Sequence, residues 1–209
     1  MLGDSRGAAA LGIVICLTAC GDDDMSMTRE GDKLEDAGGA GGAASEQADA
    51  QTPPQGVDAI EAWLNSGVYK EWSCESSVHP SRDPSPHGFN RICSNALIAE
   101  NASSDEDWPE GAAAVKELYA SASAETPSGY AVYLKTAAES SGGDNWYWYE
   151  RVPLDSAAPH DDQGTVADGM GDSGPAQTIC VGCHVAAGSD AAHTPSAGGR
   201  DQVYTPVAL

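Results

Sequence analysis

The motif C-x-x-C-H, close to the end of the chain, constrains this protein more than any other feature of its sequence. It lies in the stretch TICVGCHVAAG, residues 178–188, and consists of Cys180, Cys183 and His184. At this spacing two thiols add to the two vinyl groups of a haem while the adjacent histidine ligates its iron. With 6 Cys and 5 His in 209 residues, about 0.004 such motifs are expected by chance. The motif therefore predicts one covalently attached haem c.

Two other interpretations of the motif fit the sequence less well. A redox-active Cys180–Cys183 pair normally lies between a strand and a helix near the start of a βαβ unit, whereas only 25 residues follow His184. A zinc site needs a second pair of ligands, and the sequence contains no second C-x-x-C and no H-x₃₋₅-H. We therefore expect Cys180 and Cys183 to form the thioethers and His184 to be an axial iron ligand.

The amino-terminal stretch MLGDSRGAAALGIVICLTAC has the features of an export signal. Its apolar run, residues 8–18, follows a single side-chain cation, Arg6, and is too short to span a bilayer as a permanent helix. The ending LTAC is similar to the bacterial lipoprotein signal, which is cut before the cysteine, so residues 1–19 would be removed and Cys20 would carry lipid. An ordinary secretory signal or an uncut anchor is the alternative. All three lead to export, and we expect lipid anchoring to a bacterial membrane, facing the periplasm or the cell exterior.

Export also accounts for the remaining cysteines. The haem motif uses two of the six, Cys16 leaves with the signal peptide and Cys20 takes lipid. Cys74 and Cys93 remain, and in an oxidising compartment they are predicted to form a disulfide, with two free thiols as the alternative. Closing the loop of 18 intervening residues would stabilise the fold by about 3 kcal/mol in the chain-entropy model.

Composition divides the mature chain into a tether and one domain. Residues 20–56 are acidic, rich in Gly and Ala and poor in apolar side chains, which is typical of a flexible tether. Residues 57–209 are long enough for one compact haem domain. The formal net charge of −22 argues against binding to nucleic acid or, through basic residues, to anionic lipids. A redox partner protein is expected to present a basic face.

Periodicity indicates the first elements of this domain. The stretch GVDAIEAWLNSGVYKEW places Val57, Ile60, Leu64 and Val68 on one helical stripe. A loop rich in Pro, Ser and Gly follows, and then a predicted strand over residues 91–98. For DWPEGAAAVKELYASAS the Pro, Ala, Lys and Glu content favours a helix, although Gly111 weakens that prediction.

The second half of the domain contains a clearer β signal. Residues 129–137 and 145–152 are rich in Tyr, Trp and Val, and the intervening Gly142-Gly143 predicts a hairpin between them. Residues 153–175 are polar and are expected to form a loop, after which a short helix should present the haem motif.

The position of the motif limits the electron-transfer interpretation. Small electron-carrying cytochromes have the motif early and a methionine ligand later, but no Met follows His184, and Met170 precedes it. A six-coordinate electron-transfer cytochrome without substrate chemistry remains the alternative. Its second ligand would be a histidine from a loop rich in Pro or Gly, the candidates being His79, His87, His160 and His193.

An ordered set of segments along the domain resembles the cytochrome P-460 and cytochrome c′-beta family. The matching segments, in chain order, are YKEW, NRICSNALI, WPEGAAAVKELY, NWYWYERVP, CVGCH and DQVYTPV. The resemblance implies an α+β fold, in which an antiparallel β-sheet is packed by a few helices around a single c-type haem. It also implies that residues 112–118 form a strand, against their helix propensity. Some family members oxidise hydroxylamine, others bind nitric oxide, and many are dimers, so a homodimer is expected.

The resemblance also assigns roles to two basic residues. Lys116 falls where hydroxylamine-oxidising members have a lysine bonded covalently to the porphyrin edge; the alternative is a solvated amine or a partner for a nearby acidic group. Arg91 falls where the family has an arginine over the distal face of the haem, able to donate hydrogen bonds to an iron-bound ligand. The alternative for Arg91 is an ordinary ion pair.

One departure from the family weakens the enzymatic interpretation. The position that carries a distal carboxylate in hydroxylamine oxidisers, four residues before Lys135, is Ala131. Oxidation of hydroxylamine releases protons, so a base beside the iron is useful. Glu100, Glu117 and Asp83 are candidate substitutes that nothing in the sequence places there. The expected function is to bind or oxidise a small nitrogen species at an open distal site, with electron transfer to an acceptor.

Overall fold

A computed structural model describes residues 52–82, 85–189 and 198–204 of the chain. The predicted signal peptide, the predicted lipid attachment site Cys20 and most of the tether lie outside these ranges. So do Asp83 and His193. No helix in the described part of the chain is long and apolar enough to cross a membrane.

The first helix, α1 (Val57–Ser66), forms where the apolar stripe predicts it. Ile60 and Leu64 are buried on the stripe, and Val57 is partly buried against the same core. Gly67 ends the helix with a left-handed φ of 75°, and its N–H donates to the carbonyl of Leu64. The helix prediction is confirmed, although a 3-10 turn (Val68–Glu71) replaces its last residues.

Within the described residues, seven antiparallel strands form the main sheet, in the order β1-β3-β4-β5-β6-β7 with β2 also paired to β3. Their bounds are β1 (Ser73–Cys74), β2 (His79–Pro80), β3 (Phe89–Ser94), β4 (Ala113–Tyr119), β5 (Gly129–Lys135), β6 (Trp146–Arg151) and β7 (Thr165–Met170). A short helix, α2 (Ala96–Asn101), connects β3 to β4. The sheet with its few helices confirms the predicted α+β class, and β5 and β6 form the predicted hairpin.

Two of the local predictions fail for physical reasons. Residues 95–98 were predicted as strand, but the Asn95 side chain accepts a hydrogen bond from the Ile98 N–H (3.2 Å) and starts α2. Residues 113–119 form β4 rather than a helix, because β3 and β5 hydrogen-bond to its two sides and override its propensity. The strand implied by the family resemblance is therefore correct.

Strand β7 lies inside the segment that was predicted to be loop. It lies at one edge of the sheet, where β6 is its one partner among the described strands, and a bulge interrupts the register at Glu150 and Arg151. Its sequence TVADGM has little alternation and contains Asp and Gly, which are depleted in strands. Pairing with β6 therefore determines this strand, and local sequence does not.

The sheet has two different faces. On one face α1 packs over a core that includes Val115, Val132 and Tyr149. The opposite face carries Trp146 and Trp148, against which the C-terminal helical segment packs. Alternation along each strand places neighbouring residues on opposite faces, so register decides which polar side chains face the C-terminal layer.

The predicted disulfide is present. Cys74 on β1 and Cys93 on β3 are directly opposed in the antiparallel register and are bonded to each other. Replacing both residues with serine is expected to lower the free energy of unfolding by about 3 kcal/mol, because the unfolded chain regains the entropy of the closed loop. Urea denaturation of the parent and the double variant measures this difference. A loss of unfolding free energy below about 0.5 kcal/mol would contradict the stabilising role that the chain-entropy model gives this disulfide.

Candidate functional site

The haem motif lies on a helical segment that we call the motif helix. It consists of a wide π-type turn (Ala176–Val181), an α-helical turn (Gly182–His184) and a 3-10 turn (Val185–Ala187), so the predicted short helix is confirmed. Two glycines let it approach the sheet. A Cβ on Gly143 or Gly171 would lie 2.6 or 2.8 Å from methyl carbons of Val181, so neither position has room for a side chain.

A cavity of about 810 Å³ lies beside this contact, lined by residues of both the motif helix and the sheet. Cys180, Cys183 and His184 all line it from the motif helix. Across the cavity lie Lys116 and Glu150, with the small Ala131 between them. These three are direct cross-strand neighbours on β4, β5 and β6. The structure therefore brings the three motif residues and Lys116 into one space.

The ring of His184 is held in the form that binds metal ions. Its Nδ1 lies 2.8 Å from the backbone carbonyl of Gln202, and a carbonyl only accepts, so Nδ1 carries the hydrogen. Burial, reinforced by the charge of Lys116, lowers the pKa of His184 to about 3. The imidazole is therefore neutral at ordinary pH, and its unprotonated nitrogen is Nε2.

Aromatic side chains surround this histidine. Its ring centroid lies 4.7 Å from that of Trp148, 5.7 Å from that of Tyr204 and 6.2 Å from that of Tyr133. All three also line the cavity. Such walls exclude water and favour a flat apolar group.

The two thiols of the motif, on Cys180 and Cys183, are not in a disulfide. Burial, together with the nearby charge of Glu150, raises the pKa of Cys180 to about 12. Cys180 is therefore an un-ionised thiol that faces the cavity.

Lys116 extends into the cavity without a fixed partner. No hydrogen bond or ion pair joins its amine to another residue in the part of the chain that the structure describes. Burial lowers the pKa of Lys116 to about 8, and the negative charge of Glu150 opposes part of that shift. A substantial neutral fraction of the amine is thus present near pH 8, and neutral amines are nucleophilic.

Arg91 lies elsewhere, and the expectation of a distal arginine is corrected. Its register partner is Glu117, whose side chain points away from the face that carries Lys116. Arg91 Nε donates to Glu117 Oε2 at 2.7 Å, and Tyr69 and Tyr119 also donate to this carboxylate. Arg91 does not line the cavity, and the alternative of an ion pair is what the structure shows. Glu117 is likewise not a base for the cavity.

Glu150 is a cavity residue that the sequence did not point to, and His87, one of the candidate second iron ligands, lies beside it. Their side chains are each 12% exposed, and His87 Nδ1 lies 3.4 Å from Glu150 Oε1. Glu150 is the direct cross-strand neighbour of Ala131, so a carboxylate is present one strand away from the expected position. The alternation in NWYWYER puts Trp148 and Glu150 on one face, but only the register with β5 shows what they face.

The other described histidines lie away from the cavity. His79 bonds to Glu75 through Nε2 at 2.9 Å. His160 is exposed, and its Nδ1 lies 2.7 Å from the carbonyl of Asp161. Of the four histidines considered as a second iron ligand, His87 is thus the described one that lines the cavity.

The donor set suits a haem better than a bare metal ion. Within residues 52–82, 85–189 and 198–204, no group of three or more His, Cys, Asp or Glu side chains is arranged to hold a metal ion. A haem c requires one imidazole for its iron and two thiols at its edge, and the cavity offers both. In comparisons with known proteins, no family model, curated protein or solved structure matches this chain.

Proposed function

We propose that this chain is an exported mono-haem c protein of the cytochrome P-460 and cytochrome c′-beta type that binds or oxidises small nitrogen species. Cys180 and Cys183 would hold the haem, and His184 Nε2 would be its one protein ligand to iron. The observation that carries the proposal is that all three residues face one cavity and that His184 is in the metal-binding tautomer.

The size and lining of the cavity support this proposal. A volume of about 810 Å³ falls within the range of roughly 300–1,000 Å³ found for cofactor and ligand sites. The walls are largely apolar, and the polar side chains among them include the neighbouring Lys116, Glu150 and His87. This distribution suits a large apolar cofactor with a small polar molecule beside it.

Bound haem would supply an iron that takes a further small ligand and exchanges electrons. The residues of the chain supply the proton chemistry. The Glu150 carboxylate would accept a proton from an N–H or O–H of hydroxylamine. His87 Nδ1 lies 3.4 Å from Glu150 Oε1, so its imidazole is placed beside that carboxylate. Lys116 is the candidate for a covalent link to the cofactor. Electrons would leave to an exported acceptor with a basic face, which the net charge of −22 favours.

His87 supports a second candidate function. Because His87 lines the same cavity as His184, it would be the sixth ligand in an electron-transfer cytochrome without substrate chemistry. Its pairing with Glu150 favours the first proposal, since a ligating His87 would have to leave this contact.

Carbon monoxide binding to the reduced protein distinguishes the two functions. We expect carbon monoxide to shift the Soret band of the ferrous protein, because the proposed site keeps one iron position free of protein ligands. A low-spin spectrum that does not change when carbon monoxide is added would contradict the proposed open iron position. Recovery of carbon monoxide binding in His87→Ala would then establish the electron-transfer alternative.

Hydroxylamine-dependent reduction of an artificial acceptor tests for catalysis and for the role of Lys116. Lys116→Ala is expected to lose any broad red-shifted ferrous band and to lower turnover at least tenfold. The exposed lysine variant Lys70→Ala is the matched control and should behave as the parent. If Lys116→Ala changes neither spectrum nor turnover, Lys116 has no role at the haem.

A further inference from the structure

A buried ion pair lies beside the cavity without lining it. Lys135 Nζ is 2.7 Å from Asp201 Oδ2, and both side chains are 0% exposed. The indole N–H of Trp146 donates to Asp201 Oδ1 at 3.2 Å, and Lys135 Nζ lies 5.0 Å from the centre of the Trp146 ring. Because taking two charges out of water is costly, a fully buried pair is weak evidence of stabilisation and raises the question of what it positions.

Asp201 belongs to a strained turn. The short strands β8 (Gly199–Arg200) and β9 (Val203–Tyr204) pair as a hairpin, with Asp201 and Gln202 as its two-residue loop. Both loop residues have positive φ, 37° and 69°. Two-residue hairpins with this backbone favour Asn-Gly or Asp-Gly, since side chains resist positive φ. Such strain persists only where the surroundings over-determine it, and here both side chains are completely buried.

The strained turn places one backbone carbonyl, that of Gln202, beside the His184 ring. The carbonyl of Gln202 accepts the Nδ1 hydrogen of His184 at 2.8 Å. The N–H of Gln202 donates to the carbonyl of Gly188 at 2.8 Å, directly after the motif helix. Gln202, whose carbonyl orients the His184 ring, thus directly follows Asp201, whose carboxylate is held by Lys135 and Trp146.

Contacts of Arg200 also hold β8, the strand before the turn, in place. The guanidinium of Arg200 stacks on Trp108, 3.6 Å from the ring centre. Its Nη2 donates to the carbonyl of Asn101 at 2.7 Å. The Asp201–Gln202 turn therefore has little freedom to move away from His184.

We propose that Lys135 and Asp201 are positioning residues for His184, acting through the Gln202 carbonyl to set the strength of the imidazole as an iron ligand. A carbonyl that accepts from Nδ1 makes Nε2 more electron-donating, and this donation stabilises ferric iron. The inference rests on the proposed haem function. It goes beyond that function by assigning a role to residues outside the cavity.

The test uses the haem-loaded protein and two variants that each break the ion pair. Asp201→Asn and Lys135→Gln are both expected to raise the reduction potential and to lower the iron–histidine stretching frequency in resonance Raman spectra. The two variants should shift these quantities in the same direction, because each releases the same turn.

Glu117→Gln is the matched control. It breaks the Arg91–Glu117 ion pair, which is also buried at its carboxylate but lies on the opposite face of the sheet. This variant is expected to lose thermal stability while keeping the parent's potential and Raman band. If the ion-pair variants lose stability but keep both spectroscopic values, or if Glu117→Gln shifts them equally, the positioning role is overturned. If the parent carries no haem, the proposed function itself fails, which is a distinct result.

Discussion

Replacing both Cys180 and Cys183 with alanine is expected to abolish covalent haem attachment. These are the two thiols that face the cavity beside His184, and a c-type haem is bonded to the protein through such thioethers. Under denaturing electrophoresis the parent should retain its haem stain and peroxidase activity in the gel. The double variant should show neither, because any haem that it binds is released on unfolding.

The disulfide cysteines provide the control for this experiment. Cys74 and Cys93 are bonded to each other between β1 and β3, and neither lines the cavity. A variant with serine at both positions should keep the haem stain despite its lower stability. A stain that survives in the Cys180/Cys183 variant, or its absence from the parent, would contradict the proposed haem attachment.

Glu150→Gln is expected to lower hydroxylamine oxidation by about 10²- to 10⁴-fold, the usual contribution of a positioned general base. Glutamine keeps the shape of the side chain but does not accept the proton that oxidation releases. Binding of nitric oxide or carbon monoxide to the reduced protein needs no base and should change little. Steady-state turnover and ligand titration of the same preparation measure the two effects separately.

Glu61→Gln is the matched control for Glu150. Glu61 accepts hydrogen bonds from Arg151 (2.6 Å) and Tyr149 on the face covered by α1, so it is a partly buried carboxylate away from the cavity. Its loss should affect stability alone. Equal turnover in Glu150→Gln and the parent would show that Glu150 is not the base. Equal loss in both variants would mean that the effect is structural.

Local patterns predicted those parts of the molecule that depend on neighbours in sequence. Helix α1, the β5–β6 hairpin and the short helix that carries the motif follow from apolar periodicity, β propensity and turn residues. The Cys74–Cys93 disulfide followed from accounting for the other four cysteines. Strand β7 was missed because its polar sequence is held in the sheet by β6 alone.

The candidate site was only partly predictable. Lys116 and Arg91 were both assigned to it. The register pairs Arg91 with Glu117, the residue after Lys116. Because consecutive residues of a strand point to opposite faces of the sheet, Arg91 and Lys116 lie on opposite faces. The same geometry explains why Glu150 was overlooked. It lies 19 residues after Ala131 in the chain, but beside it in the sheet.

The sequence by itself determined the chemistry that the motif offers: two thiols and a histidine at a spacing suited to one haem. It also predicted an export signal, an acidic tether and the main local elements. Only the tertiary structure decided which groups share the cavity with His184, and which carbonyl orients its ring. These relations join residues far apart in the chain through strand register and a strained turn. Local periodicity specifies neither, because both depend on contacts that form only when the layers pack.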